Sequence, residues 1–373
     1  MKRNIRKMVS NVKKVPWKAG EYKKQNWGIW LHSISSYVGR IKPAFAHCLI
    51  ELCSNKDDVI FDPFCGIGTV ILEADLMGRK AIGNDLNPYA YLISKAKLDR
   101  RGLDKEIKYL QRIKLRTDQI DLNIVPEWVR EYYDDNTLKE ILALSTKLIK
   151  HKREFLLGCL LGIIHGHRKQ HLSIRTGYII PYIPNPKPPK EYKEVIPKMI
   201  EKVKRMYKDP FPIKHKASIL NQDTRNLQLK SKSIDVIISS PPYYNTIDYV
   251  HVNRLRLWFA GVCCKKQDEL SSTLIQQKHT YLNQMEDVGI ELKRILKDDG
   301  LIVFVLGDVN YGTKSVKTAE DIREIYKKIG FSSHGIVCDE IPAARTTIVK
   351  YGGNTAINNK KTKLDRILFL TKK

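Results

Sequence analysis

The chain has no apolar run long enough to cross a bilayer. Its longest, FLLGCLLGII from Phe155 to Ile164, is about half of what a spanning helix needs and reads as a buried helix. Disulfide chemistry is also absent from the pattern. The seven cysteines are scattered, odd in number and free of any CxxC pair, which argues against a disulfide framework and structural zinc and for reduced thiols in a cytoplasmic compartment. The start, MKRNIRKMVSNVKK, lacks an apolar stretch and a small-residue cleavage site, so no secretory signal is expected. Neither a GxGxxG turn nor a GK[ST] triplet occurs, which argues against dinucleotide binding and phosphate cradling. Acidic residues are scarce as well. Asp and Glu number 40 against 66 Lys and Arg, a formal charge of +26, and such an excess favours a polyanionic partner.

Three zones follow one another. From Trp27 to Arg101 helix and strand patterns alternate: KPAFAHCLIELC is helical, VIFD (Val59 to Asp62) is a strand, VILEADLM is helical, KAIGND (Lys80 to Asp85) is a strand, and a helix begins at Pro88. That is the βαβ rhythm of a parallel sheet. The zone from Gly102 to Lys216 is helical and basic, broken by IPYIPNPKPPK, whose prolines require an extended surface segment. Alternation then returns with a third strand at Ala217 to Leu220, IDVIIS, LIVFVLGD and closing strands near IVCDE and ILFLT. The expected architecture is α/β, a doubly wound, mostly parallel sheet built from residues 1–101 and 217–373, with 102–216 inserted.

The segment DPFCGIGT ends the first strand. Gly66 and Gly68 permit positive φ and close backbone approach, and the following helix offers its N-terminus. Asp62, Pro63, Phe64, Cys65, Gly66, Gly68 and Thr69 are therefore candidate ligand contacts, although the same residues would serve a plain βα turn. Asp85 ends the second strand, where βαβ folds place a carboxylate that takes both ribose hydroxyls. It could equally cap the helix entering at Pro88. Asp223, after the third strand, could accept from an adenine amino group or serve the turn alone. Together these positions suit an adenosine-containing ligand without a polyphosphate.

DPFCGIGTVILEA, GNDLNPYA and SSPPYYNTIDY closely resemble motifs of the S-adenosylmethionine-dependent DNA amino-methyltransferases, the cytosine-N4 and adenine-N6 enzymes, which have the class I, Rossmann-like fold. The resemblance implies that S-adenosylmethionine lies on the glycine turn. It also implies that the Ser240 hydroxyl and Pro241 carbonyl accept hydrogen bonds from the target amine. An exocyclic amine is a poor nucleophile because its lone pair is delocalised into the ring, and such acceptors draw the nitrogen toward tetrahedral geometry. Pro241 and Pro242 fix the carbonyl direction, and Tyr243 would stack on a base flipped from the duplex. HSISSYVGRIKPAFAHCLIEL resembles the family's cofactor-side segment, with Tyr37 in place and Arg40 where lysine is usual.

An SPPY tetrad leans toward cytosine-N4, whereas a glycine turn preceding SPPY resembles the alpha arrangement of these enzymes. Adenine-N6 stays open as the alternative, and an RNA guanosine-N2 enzyme would typically carry DPPY. No Pro-Cys pair occurs, which excludes the carbon-5 route as that family performs it. In the family's alpha arrangement the insertion carries target recognition. HGHRKQHLSIRTGY there offers His167, Arg168, Lys169, Arg175 and Tyr178 for phosphate and base-edge contact, more readily than its histidines offer a metal site. The partner implied is double-stranded DNA, with a cognate restriction endonuclease as a companion the resemblance raises.

Overall fold

The computed structural model describes residues 3–24, 27–176, 180–209, 216–242, 247–277, 279–311, 314–340 and 364–373. Two helices, α1 (Ile5–Lys13) and α2 (Pro43–Cys53), precede the first strand β1 (Val59–Asp62); α3 (Thr69–Leu76), β2 (Lys80–Asn84) and α4 (Pro88–Leu98) complete the first βαβ unit. The insertion holds α5 (Leu103–Arg112), α6 (Glu127–Arg130), α7 (Asp135–Lys150), α8 (Glu154–Ile163) and α9 (Val195–Met206). Strands β3 (Ala217–Leu220) and β4 (Ile234–Ser239) are followed by α10 (Arg254–Phe259), α11 (Cys264–Thr273) and α12 (Tyr281–Ile295). Then come β5 (Leu296–Gly307), the hairpin β6 (Val309–Tyr311) and β7 (Lys314–Val316), α13 (Thr318–Lys328), β8 (Phe331–Glu340) and β9 (Leu364–Lys372).

Seven strands form one sheet in the order β3-β2-β1-β4-β5-β9-β8. Strands β1 to β5 pair in parallel, and β9 runs antiparallel to both β5 and β8. Parallel strands with both faces covered must be apolar throughout, and all six residues of β4 are buried. Alternation sorts them. Ile60, Val236, Ile238, Leu301 and Val303 pack with α1, α2 and α3 on one face, while Phe61, Ile237, Ile302 and Phe304 pack with α12 and α13 on the other.

The described helices of the insertion do not form a core of their own. Leu138, Leu144, Leu160 and Met199 from its helices share one apolar cluster with Tyr89, Ile93 and Ala96 of α4 and Leu255 of α10. The apolar run expected to be a buried helix is α8, whose residues Phe155 to Ile163 are all buried. On α9, Lys202 lies inside at 4 % exposure. No helix among the described residues is long and apolar enough to cross a membrane.

Candidate active site

Strand order reverses between β1 and β4, since the chain runs outward through β2 and β3 on one side and through β5 on the other. Open α/β sheets bind ligands at such a point, beyond the carboxyl ends of the strands. Here it juxtaposes two motifs far apart in sequence. Ile60 pairs with Val236 and Phe61 with Ile237, so the chain leaves β1 at Asp62 beside the place where it leaves β4 at Ser239. The Ser239 hydroxyl donates to Asp62 Oδ1 at 2.6 Å.

A cleft opens above this junction. Its lining takes Asp62, Phe64, Cys65, Gly66 and Thr69 from the glycine turn, Asp85 and Asp223 from the next two strand ends, and Ser240 and Pro242 from the turn after β4. Tyr37 closes it from the N-terminal side. Of the residues expected there, Pro63, Gly68 and Pro241 do not line the cleft, and each has a structural position of its own. The Pro63 carbonyl accepts from the Thr224 hydroxyl at 2.9 Å. Gly68 caps α3 at φ 69°, and a Cβ there would lie 2.8 Å from Ser94 Oγ. Pro241 is buried between Ser240 and Pro242. Tyr243 and Tyr178 lie outside the described residues.

The turn is held by its own ligand-binding candidates. Gly66 sits at φ 51°, its N–H donates to Asp85 Oδ2 at 2.8 Å, and Asn87 N–H donates to Asp85 Oδ1 at 2.9 Å. The helix cap is Asn87, whose side chain takes the Tyr89 N–H. Each Asp85 oxygen keeps a second lone pair, so two further donors can be accepted. Phe64 N–H joins Ser239 on Asp62 Oδ1. Burial pushes the Asp62 and Asp85 carboxyls up to about 7, against the lowering effect of these hydrogen bonds. Burial also holds the Cys65 thiol well above its ordinary range, which leaves it unreactive. Asp223 takes the turn role that the sequence also allowed, its Oδ1 accepting the Arg225 N–H at 2.9 Å. Arg225 donates to both its oxygens, Nε to Oδ1 at 2.9 Å and Nη2 to Oδ2 at 2.5 Å.

Several lining residues were not among the expected site residues. Tyr249 stacks on Tyr37 with ring centroids 5.8 Å apart, and its N–H donates to Gln276 Oε1 at 3.2 Å. Ile275 and Gln276 lie in the connection between α11 and α12. Tyr281, buried at the start of α12, donates its hydroxyl to the Pro242 carbonyl at 2.9 Å. We expect Tyr281→Phe to cost about 1 kcal/mol of stability, as for one buried hydrogen bond. Urea unfolding checks this, with an unchanged midpoint as the contrary result.

The donor set has a chemical bias. Asp62, Asp85 and Asp223 face the cleft, and Arg40 is the sole cation among its described lining residues. A polyphosphate is unsuited to such walls. A ligand with a hydroxyl pair and positive charge is suited to them, and space is kept for it by Gly66, where a Cβ would crowd the Tyr37 ring at 3.3 Å. The residues fit S-adenosylmethionine. In the insertion, His167, Arg168, Lys169 and Arg175 are exposed. Their neighbours His165 and His171 are buried, and burial lowers them to about 3 and about 4, so they are neutral core residues. Among the described residues no cluster of His, Cys, Asp or Glu could hold a metal.

A doubly wound sheet with an acidic cleft at its switch point is a fold suited to binding a nucleoside-containing ligand. The family model described as DNA methylase, of the N6/N4 methyltransferase type, matches residues 9–96 and 234–364, and the chain belongs to that family. Its cofactor is S-adenosylmethionine. The Type II methyltransferase M.MjaII of Methanocaldococcus jannaschii is 31% identical over 120 residues, 32% of this chain and 21% of that protein. The Type II methyltransferase M.BsoBI of Geobacillus stearothermophilus is 25% identical over 344 residues, 76% of this chain and 65% of that protein. The chain thus spans less than two thirds of either relative. A SAM-dependent methyltransferase from Methanosarcina mazei superposes with a TM-score of 0.37 at 10% identity, covering 89% of this chain and 98% of that one.

Proposed function

We propose that the protein transfers a methyl group to the exocyclic N4 of cytosine in double-stranded DNA, with adenine N6 as the alternative base. The observation that carries the reading is the junction of the two strand ends, where the Ser239–Asp62 bond ties the glycine turn to Ser240-Pro241-Pro242. A serine at the head of the tetrad is what favours cytosine. When bound, S-adenosylmethionine supplies an electrophilic methyl group. The chain's part is to accept: Ser240 Oγ, on the cleft wall, takes an amine N–H in a hydrogen bond and helps free the nitrogen lone pair, while the Pro241 carbonyl, whose residue does not line the cleft, keeps its acceptor role only as what the family resemblance implies. Asp85 receives the ribose hydroxyls, and Tyr37 and Tyr249 exclude water. Tyr243 is proposed to stack on the flipped base. Transfer from methyl-labelled cofactor to plasmid DNA, followed by nucleoside analysis, tests this. Labelled N4-methyldeoxycytidine is the expected product. N6-methyldeoxyadenosine would correct the base, and label confined to RNA would overturn the substrate.

Support for a polyanionic partner comes from exposed cations on the insertion. Besides Arg168, Lys169 and Arg175, residues Lys105, Lys108 and Arg112 form an exposed stripe along α5 at helical spacing. Neutralising Arg168, Lys169 and Arg175 together is expected to flatten the slope of log affinity for duplex DNA against log salt. The change should be about 0.9 for each phosphate that is no longer neutralised. Fluorescence anisotropy across a salt series measures it, and an unchanged slope would move the DNA track elsewhere, first to the α5 stripe.

A further inference from the structure

The segment from Trp30 to Ile41 is a strap over the cofactor cleft, since Tyr37, Gly39, Arg40 and Ile41 all line it. From within the cofactor half it is fastened by Tyr89 of α4. The Tyr89 hydroxyl meets Ser35 Oγ at 2.7 Å and the Ser36 carbonyl at 2.8 Å. His32 Nε2 meets Glu73 Oε1 of α3 at 2.6 Å. Tyr249, from the catalytic half, stacks on Tyr37, and further fastenings come from the insertion.

Lys202 of α9 donates from its buried side-chain nitrogen to the Ser33 carbonyl at 2.9 Å. Gly162 of α8 lets the next carbonyl in, because a Cβ there would fall 1.9 Å from Ile34 O. Gly158, one turn earlier, faces the Ile34 side chain, where a Cβ would stand 3.1 Å from Ile34 Cδ1. Asp209, just beyond α9, accepts the Trp30 N–H at 2.6 Å. Two consecutive strap residues, Ser33 and Ile34, therefore rest on two helices of the insertion. A long amine brought into the core to hold one carbonyl, and a glycine that only a close backbone approach requires, converge on the same dipeptide.

We infer that Lys202 and Gly162 are positioning residues for the cofactor site, so the insertion forms part of the S-adenosylmethionine pocket as well as the proposed DNA-facing region. Neither residue lines the cleft. Each acts through Ser33 and Ile34 on Tyr37, whose ring closes over Gly66. The inference rests on the placement of the cofactor beneath this strap.

The test is calorimetric binding of S-adenosylhomocysteine to the purified full chain and to Lys202→Met and Gly162→Ala. Each variant is expected to raise the Kd about tenfold or more, with duplex affinity within twofold of wild type. Amides of the strap should exchange faster in hydrogen exchange, ahead of those of β1 and β4. Ile141→Val, a core change in α7 of the same insertion, controls for general loosening and should lower Tm without moving Kd. Asp209→Ala is a surface change that keeps the test open should the buried variants fold poorly, and a rise of about threefold is expected. Unchanged Kd in folded Lys202→Met and Gly162→Ala would overturn the inference, and so would an equal rise in Ile141→Val. A wild-type chain that does not bind the ligand would instead remove the cofactor placement itself.

Discussion

Ser240→Ala is expected to lower kcat about 10²-fold while changing KM for DNA little. The magnitude follows the loss of one preorganised hydrogen-bonding group at a reacting centre. The split between the constants follows from when the bond matters. The amine nitrogen is planar and conjugated in the ground state, and its protons become better donors as positive charge develops on it. An acceptor that strengthens on the way to the transition state affects turnover more than binding. Ser239, one position earlier, is no substitute, because its hydroxyl is committed to Asp62. Single-turnover methylation of a duplex by Ser240→Ala measures the effect. A rate equal to wild type would reduce Ser240-Pro241-Pro242 to a strand-ending turn.

Asp85 carries the second large expectation. Asp85→Ala should weaken S-adenosylmethionine binding by at least about 1.5–3 kcal/mol, the range for hydrogen bonds to a charged group. The effect has two sources, since the same carboxylate holds Gly66 N–H and Asn87 N–H. Asp85→Asn separates them in part, because it retains one acceptor oxygen and loses the charge, and it should fall between wild type and Asp85→Ala. Calorimetry giving equal cofactor affinity in all three would remove Asp85 from the site.

The raised carboxyls add a pH signature. Asp62 and Asp85 titrate near 7 in the folded chain because they are buried, against about 4 in the unfolded one. The folded state therefore binds more protons between pH 4 and 7. Their contribution to stability is full below about pH 4 and is lost as pH rises through 7. Cofactor affinity should run the other way, because the ionised form of Asp85 is the better acceptor for hydroxyls. Binding is expected to tighten from pH 6 to 8 in wild type and to lose much of that dependence in Asp85→Asn. A flat wild-type profile would contradict the protonation argument.

Which parts of this architecture could be read from sequence follows from the range of the interactions. Strands β1 and β4 were legible because parallel strands covered on both faces are short apolar runs, and VIFD and IDVIIS are bounded by turns. The two turns were legible because Gly66 and Gly68 need positive φ and the tetrad has a fixed composition. Their working together on one cofactor and one target amine was implied by the family resemblance. Less was visible where a contact joins distant segments. Asp223 left two readings open, ligand acceptor or turn residue, and the grip of Arg225 on both its oxygens is visible only in the structure. The Tyr281 hydroxyl on Pro242 lies 39 residues away in a helix without other distinction. Lys202 sits in a basic amphipathic pattern that gives no sign of burial, and only the strap carbonyl explains it. The His165 to His171 segment mixes exposed and buried side chains that a composition argument treats alike.

The central claim is that the turns after β1 and β4 form one site for the methyl donor and the target amine. The most direct measurement is a crystal structure with sinefungin, in which a carbon replaces the sulfonium sulfur and an amine replaces its methyl group. The account predicts ribose hydroxyls on Asp85, adenosine between the glycine turn and the strap, and the amine directed at Ser240 across the β1–β4 junction. A ligand bound away from this junction, or with its amine turned from Ser240 while Asp85 stays unengaged, would contradict it.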